Sequence, residues 1–312
     1  MTRLRIGTRG SSLALWQANH IADRLAQLHG VETEIIRIRT SGDRMQSTPV
    51  AQINEIIGAE SGGKGIFIKE LEDALLANTV DLAVHSMKDV PTDTPAGLAF
   101  PAITRREDPR DCLISRNGRS LKGLPNAARV GTSSLRRQAQ LRHHRPDMEV
   151  LDLRGNVDTR MKKLDAGEFD AVVLAMAGVN RLGLASRVTQ VLGEDFMLPA
   201  VGQGALGIET RADDAETQRL VASLDDADSR VCVTAERALL RTLHGGCQIP
   251  LGALGVLRGG ELHLEAGVFS VSGTERVRAS ENGRPEDAEE IGIRLAEALL
   301  QQGADRFLRL AG

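Results

Sequence analysis

The chain has 312 residues, 41% of them hydrophobic and 26% charged, with a formal net charge of -3. That is ordinary globular composition with room for two or three domains at about 100–200 residues each, and no run approaches the ~18 apolar residues of a membrane helix. Aromatic residues make up only 2% and tyrosine is absent, which disfavours a protein that stacks single-stranded nucleic acid on its rings.

Met1-Thr-Arg-Leu-Arg-Ile runs straight into a strand-like pattern without an apolar signal region, so a cytoplasmic protein is expected. "RLRIGT" (3–8) predicts a strand, 12–30 a helix closed by Gly30, and "TEIIRIRT" (33–40) a strand. The polar, glycine-containing stretch 41–66 is far longer than an ordinary connection and reads as either a mobile lid or disorder, and 51–58 could form a partial helix. An amphipathic helix at 68–78 and a buried strand at 81–86 follow. "DCLIS" is strand-like; then come "ARVGT" (strand), "SSLRRQAQLRHH" (helix), "MEVLDL" (strand), "VDTRMKKLDAG" (helix) and "FDAVVLA" (strand).

After residue 222 the pattern changes to a helix, two strands around the Arg258-Gly-Gly turn, a further strand and a last helix begun by proline and acids. The expected class is α/β with mainly parallel sheets. The division is a first lobe of 1–104 with 200–222, a second of 105–199, and a small α+β domain of 223–312.

Two pairs of segments repeat in the same order. "RIGTRGSSLALWQA" resembles "RVGTSSLRRQA", and "DLAVHSMKDV" resembles "DAVVLAMAGV". They predict two lobes of one architecture, with substrate in the cleft between them.

Cys112, Cys232 and Cys247 are odd in number and show no C-x-x-C spacing, which argues against disulfides and against a metal site. The first two sit in apolar patterns and read as core. Cys247, in "HGGCQIP" (244–250), lies among loop-forming residues and reads as an accessible thiol.

Both Gly-Thr…Ser-Ser segments put hydroxyls and free N–H groups at helix starts, where anions bind. Plain capping by Ser12 or Ser133 is the alternative. Arg136 and Arg137 fall in a first helical turn, where the dipole disfavours cations, so a compensating anion is expected. Lys88 and Asp89 follow a buried strand, at the end where open α/β sheets hold ligands. The second lobe has no charge at the matching place, so they mark chemistry particular to the first. Arg9, Arg154, Arg160 and Arg181 add forked donors suited to carboxylates. Three readings stay open on these grounds: a two-lobed small-anion-binding protein without catalysis, a thiol enzyme using Cys247 with His244, and a Schiff-base enzyme built on Lys88.

In order along the chain, "GTRGSSLALWQ", "GGKGIFIKELE", "DLAVHSMKDVP", "REDPRD", "VGTSSLRRQAQL", "LRGNVDTR", "PAVGQGALGIE" and "HGGCQIPLGAL" resemble the porphobilinogen deaminase (hydroxymethylbilane synthase) family. The resemblance implies a periplasmic-binding-protein-like pair of lobes with a small C-terminal domain. The implied enzyme is a monomeric transferase of heme biosynthesis joining four porphobilinogen molecules into hydroxymethylbilane with release of ammonia, and it needs no metal, nucleic acid or membrane.

It further implies a dipyrromethane cofactor held by Cys247 through a thioether. Asp89, Lys88 and Arg9 would be catalytic. Lys88, Asp89, Thr132, Ser134, Arg136 and Arg137 would contact the cofactor, and Arg9, Ser11, Gln17, Arg154, Arg160 and Arg181 the substrate. The stretch between Pro49 and Gly62 is longer than the family pattern leads one to expect.

Overall fold

The computed structural model describes residues 3–40, 68–243 and 249–308. The 41–66 stretch, with its candidate helix at 51–58, and Cys247 and His244 therefore lie outside the described residues. The chain divides into two compact units, one of residues up to Arg106 with Ala205–Arg230, the other of Glu107–Gly204 with the residues from Val231 onward.

The first unit holds strands β1 (Arg3–Thr8), β2 (Glu32–Arg37), β3 (Leu82–Ser86), β4 (Leu98–Ile103) and β10 (Leu206–Arg211) in the order β2-β1-β3-β10-β4. β1 is parallel to both β2 and β3, and β10 runs antiparallel to β3 and β4. Helix α1 (Ser12–His29) buries Gln17, Ala18, Ile21, Ala22 and Leu25, a single stripe at helical spacing. It ends at Gly30, whose φ of 64° is left-handed and whose N–H returns to the Ala26 carbonyl. α1 packs with Leu220 and Val221 on the face carrying Leu4, Ile6, Leu82 and Val84. Helix α2 (Lys69–Leu76) covers the other face through Leu71 and Leu75 against Val80 and Ala83.

The second unit repeats this plan. β5 (Asp111–Ser115), β6 (Arg129–Gly131), β7 (Glu149–Leu151), β8 (Ala171–Ala175) and β9 (Gln190–Val191) are ordered β7-β6-β8-β5-β9. β6 is parallel to β7 and β8, and β5 is antiparallel to β8. β6 thus matches β1 and β8 matches β3, as the internal repeat predicts. α3 (Leu135–His144) covers one face through Leu141, while α4 (Val157–Asp165) and α5 (Met176–Arg181) cover the other through Met161, Leu164 and Val179. Each sheet also contains one antiparallel strand, β10 or β5, that the periodicity does not reveal. Both stand beside the points where the chain passes between the units, and a short apolar run carries no information about direction.

α6 (Ala215–Ala222) belongs to the first unit, and α7 (Ala227–Thr242) begins there. The three antiparallel strands β11 (Leu251–Arg258), β12 (Glu261–Phe269) and β13 (Arg276–Gly283) pack against α8 (Ala288–Gln301) and the short α9 (Asp305–Leu308). Leu262, Leu264, Ile291, Leu295 and Leu299 are fully enclosed there, each worth about 1.5–3 kcal/mol of burial. Cys112 and Cys232 are both buried; burial pushes the Cys112 thiol up to about 12. Both behave as the sequence patterns predict.

Candidate active site

Because β1 and β3 are parallel neighbours, their carboxyl ends lie side by side, and the residues that follow them share one edge of the first sheet. After β1 come Arg9 and Ser11; after β3 comes a 3-10 turn, Met87–Asp89. Met87 and Val90 are buried and anchor this turn, leaving Lys88 half-buried and Asp89 exposed. The Met87 N–H is fixed to the Ala205 carbonyl at 3.0 Å. From α1, buried Gln17 donates to the Ser86 hydroxyl at 3.0 Å, which ties the helix to the strand end. Arg9, Ser11, Gln17, Lys88 and Asp89 are thus gathered on one sheet edge.

Ser11, rather than Ser12, caps α1, accepting from the Ala14 N–H at 3.3 Å. Ser134, rather than Ser133, caps α3, over a long 3.5 Å to the Arg137 N–H. Ser133 Oγ, by contrast, is enclosed without a hydrogen-bond partner among the described residues. Thr132, fully buried, accepts the Ser134 N–H at 3.3 Å and fixes the loop from inside.

The anion expected beside Arg136 and Arg137 is the chain's own Asp111. β5 runs antiparallel to β8, pairing Asp111 with Ala175, so its first residue returns to the edge where β6, β7 and β8 end. Asp111 is completely buried and the two guanidinium groups nearly so. Asp111 Oδ2 accepts from Arg136 Nη1 at 2.6 Å, and Oδ1 accepts from Arg137 Nη2 at 2.7 Å and Nε at 3.1 Å. Gln203 Nε2 adds a further donor to Oδ1 at 2.9 Å. Burial alone would push this carboxyl up, but the charges and hydrogen bonds of Arg136 and Arg137 outweigh it and hold it well below the usual carboxylate range. Arg136 Nη1 also donates to the Leu198 carbonyl and Arg137 Nη1 to that of Val173. Arg136 Nε and Nη2 make no hydrogen bond among the described residues.

Arg154 follows β7 on the same edge and is half-buried. Gly155 beside it has φ 111°, and a Cβ there would lie 2.7 Å from Thr159, so the loop requires glycine. Arg160 on α4 donates through Nε to the Gly155 carbonyl at 2.8 Å. Arg181, at the end of α5, donates to the Gly204 carbonyl at 2.7 Å. Burial draws its guanidinium down to about 10, against the opposing charge of Glu107.

Asp111 and Gln203 stand inside the motifs "REDPRD" and "PAVGQGALGIE", yet sequence reasoning gives neither a role. The signal for Asp111 was the arginine doublet in a first helical turn, which demands an anion without saying where in the chain it resides.

Arg136, Arg137, Arg154, Arg160 and Arg181, an enclosed serine hydroxyl and the start of α3 gather along this edge, and the Nε–Nη2 side of Arg136 meets no acceptor among the described residues. That donor set suits a polycarboxylate such as dipyrromethane. Among the described residues no group of three His, Cys, Asp or Glu could hold a metal, and no helix is long and apolar enough to cross a membrane.

The class so defined is a protein of two α/β lobes with one topology, cation-rich at the strand ends of the second, carrying an additional small α+β layer. Residues 4–219 match the family model for the porphobilinogen deaminase dipyrromethane-cofactor-binding domain, and residues 230–301 that for the porphobilinogen deaminase C-terminal domain. The chain is 51% identical over 306 residues to a porphobilinogen deaminase of Syntrophobacter fumaroxidans, covering 98% of this chain and 96% of that one. It belongs to the porphobilinogen deaminase family. Similar solved structures include the methionine-binding protein MetQ, at 13% identity with a TM-score of 0.46 over 71% of this chain and 89% of that one. An ancestral cationic amino acid solute-binding protein matches at 17% identity and a TM-score of 0.43, over 71% and 87%.

Proposed function

We propose that this chain joins four porphobilinogen molecules head to tail into hydroxymethylbilane, releasing ammonia at each step, on a dipyrromethane primer attached to Cys247 through a thioether. Family membership supports the reaction. The observation on this chain that carries it is the gathering of five buried or half-buried arginines, Arg136, Arg137, Arg154, Arg160 and Arg181, at the strand ends of the second lobe, since each porphobilinogen brings an acetate and a propionate.

The cofactor supplies the attachment point from which the product grows. Its carboxylates would be held by Thr132, Ser134, Arg136 and Arg137, with Lys88 and Asp89 also in contact. Forked donors take carboxylates in two-point contact, and the first turn of α3 offers unpaired N–H groups. Arg9, Ser11, Gln17, Arg154, Arg160 and Arg181 would receive the substrate's carboxylates.

Loss of ammonia leaves positive charge on the substrate's ring. Asp89, presented outward by the Met87–Asp89 turn, stabilises that charge and holds the pyrrole N–H. Lys88 and Arg9, on the same edge, balance the acid groups around it. The domain assignment under this reading is 1–104 with 200–222, 105–199, and 223–312. The setting is a cytoplasmic monomer acting on a small molecule, with neither nucleic acid nor membrane as partner.

Intact-protein mass spectrometry tests the reading. The expected result is an added dipyrrole that survives denaturation in the parent chain and is missing from Cys247→Ser. An unmodified mass from an active preparation would overturn the tether.

A further inference from the structure

We propose that Asp111 is a positioning residue for cofactor loading: with Gln203 as its anchor, it sets the pose and the net charge of the Arg136–Arg137 pair. The inference rests on the reading that the start of α3 receives cofactor carboxylates.

Asp111 accepts four hydrogen bonds from three side chains on two other parts of the chain, α3 and the segment holding Gln203. That uses about as many lone-pair sites as a carboxylate has. Each partner is fixed in turn. Gln203 Nε2 also donates to the Pro109 carbonyl at 2.6 Å. Its neighbour Gly202 donates its N–H to buried Glu236 at 2.7 Å. Leu198, whose carbonyl takes Arg136 Nη1, is clamped at both its N–H and its carbonyl by the Gln140 amide.

Stability does not account for this arrangement. Apolar replacement of a buried ionic triad is often neutral or favourable, and the first turn of a helix is a poor place for two cations. What the triad achieves is a defined surplus of one positive charge. Asp111 and the Leu198 carbonyl grip Arg136 at the Nη1 corner. The Nε–Nη2 edge, which suits a carboxylate in two-point contact, is left without an acceptor among the described residues. Two unbridled guanidinium groups on adjacent helical positions would repel and diverge; joined through Asp111, they are presented as one preorganised donor.

The test uses the whole chain expressed without porphobilinogen. It is then supplied with porphobilinogen while loading is followed by intact mass, and melting temperature is measured before and after loading. Asp111→Asn keeps the shape but removes the charge. Gln203→Leu keeps the charge but removes its anchor, and decides the matter should Asp111→Asn not fold. Asp111→Glu is the conservative control.

We expect loading at least tenfold slower in Asp111→Asn and severalfold slower in Gln203→Leu, a smaller gain in melting temperature on loading, and partial rescue in Asp111→Glu. A purely structural role would lower the melting temperature of unloaded and loaded chains alike with the loading rate unchanged, and that outcome overturns the proposal. Arg136→Leu separates the two layers. If it loads normally, the reading of α3 fails as well. If it fails to load while folded Asp111→Asn or Gln203→Leu loads at the parent rate, only the positioning role falls.

Discussion

His85 Nε2 lies 2.9 Å from Glu209 Oε2 in the interior of the first sheet, with side-chain exposures of 3% and 0%. The pair bridges adjacent strands β3 and β10, and the His85 ring also meets the edge of Phe100 at 6.0 Å between centroids. Glu209 Oε1 has no hydrogen-bond partner among the described residues. Taking away one partner leaves the other buried without its hydrogen-bond mate, at a cost of about 1–3 kcal/mol, whereas replacing both by apolar groups is often nearly neutral. Glu209→Leu alone should therefore lower unfolding stability sharply, and His85→Leu added to it should restore most of the loss. Denaturant titration of the three variants checks this; simple additivity of the two single costs would show that the contact carries no coupling.

Asp89→Ala should keep the fold and lose nearly all turnover. The side chain is exposed on a turn whose anchors are Met87 and Val90, so its removal opens no cavity and strands no buried partner. The melting temperature should stay within about the ±0.5 kcal/mol equivalent of an ordinary surface change. Steady-state rates near those of the parent would remove Asp89 from the centre of the mechanism.

How much of this was legible from the residues alone follows from which physics is local. α1 could be bounded at Gly30 because a left-handed closing residue leaves a glycine signature. The two copies of the Gly-Thr…Ser-Ser segment could be paired because a strand followed by a helix start repeats its pattern. The role of Asp111 could not be read, since a counter-ion that returns on an antiparallel strand twenty-five residues away leaves no periodic trace. Capping by Ser11 and Ser134 in place of Ser12 and Ser133 is a one-residue shift, decided by where the chain turns into the helix. β10 and β5 escaped because strand direction is a property of the sheet and not of the segment.

Glu72, half-buried on α2, has its carboxyl pushed up, first by burial and then by the charge of Glu209, with His85 pulling the other way. A folded-state value above the unfolded one means that the stability this group lends is complete below the ordinary glutamate range. It is lost as pH rises through the raised value. At neutral pH the ionised side chain is thus a net cost. Glu72→Gln should melt higher than the parent at neutral pH, and the difference should close below about pH 4 as the parent's carboxyl becomes protonated. Melting curves across that range test the sign; a variant less stable at neutral pH contradicts it.

Gly207 in β10 faces the turn that carries Lys88 and Asp89. A Cβ built there would fall 2.2 Å from Met87 Sδ and 3.0 Å from Phe100 Cδ1. Met87 is buried, with 2% exposure, so its thioether cannot swing into solvent and Gly207→Ala must displace it. Overpacking of this kind costs about 1–3 kcal/mol. Met87 begins the 3-10 turn, so the displacement passes directly to the Lys88–Asp89 backbone, and a small misplacement of reacting groups can cost about 10²-fold in rate. Gly207→Ala should therefore lose turnover by at least tenfold, beyond what its modest loss of stability explains at assay temperature. Shortening the clashing side chain in Gly207→Ala/Met87→Ala should recover a good part of the rate, because the added methyl then occupies space the sulfur has left. Full turnover in the single variant would mean that the turn takes its position from the Met87–Ala205 backbone bond alone. A double variant no better than the single one would mean that the methyl group acts through Phe100 instead.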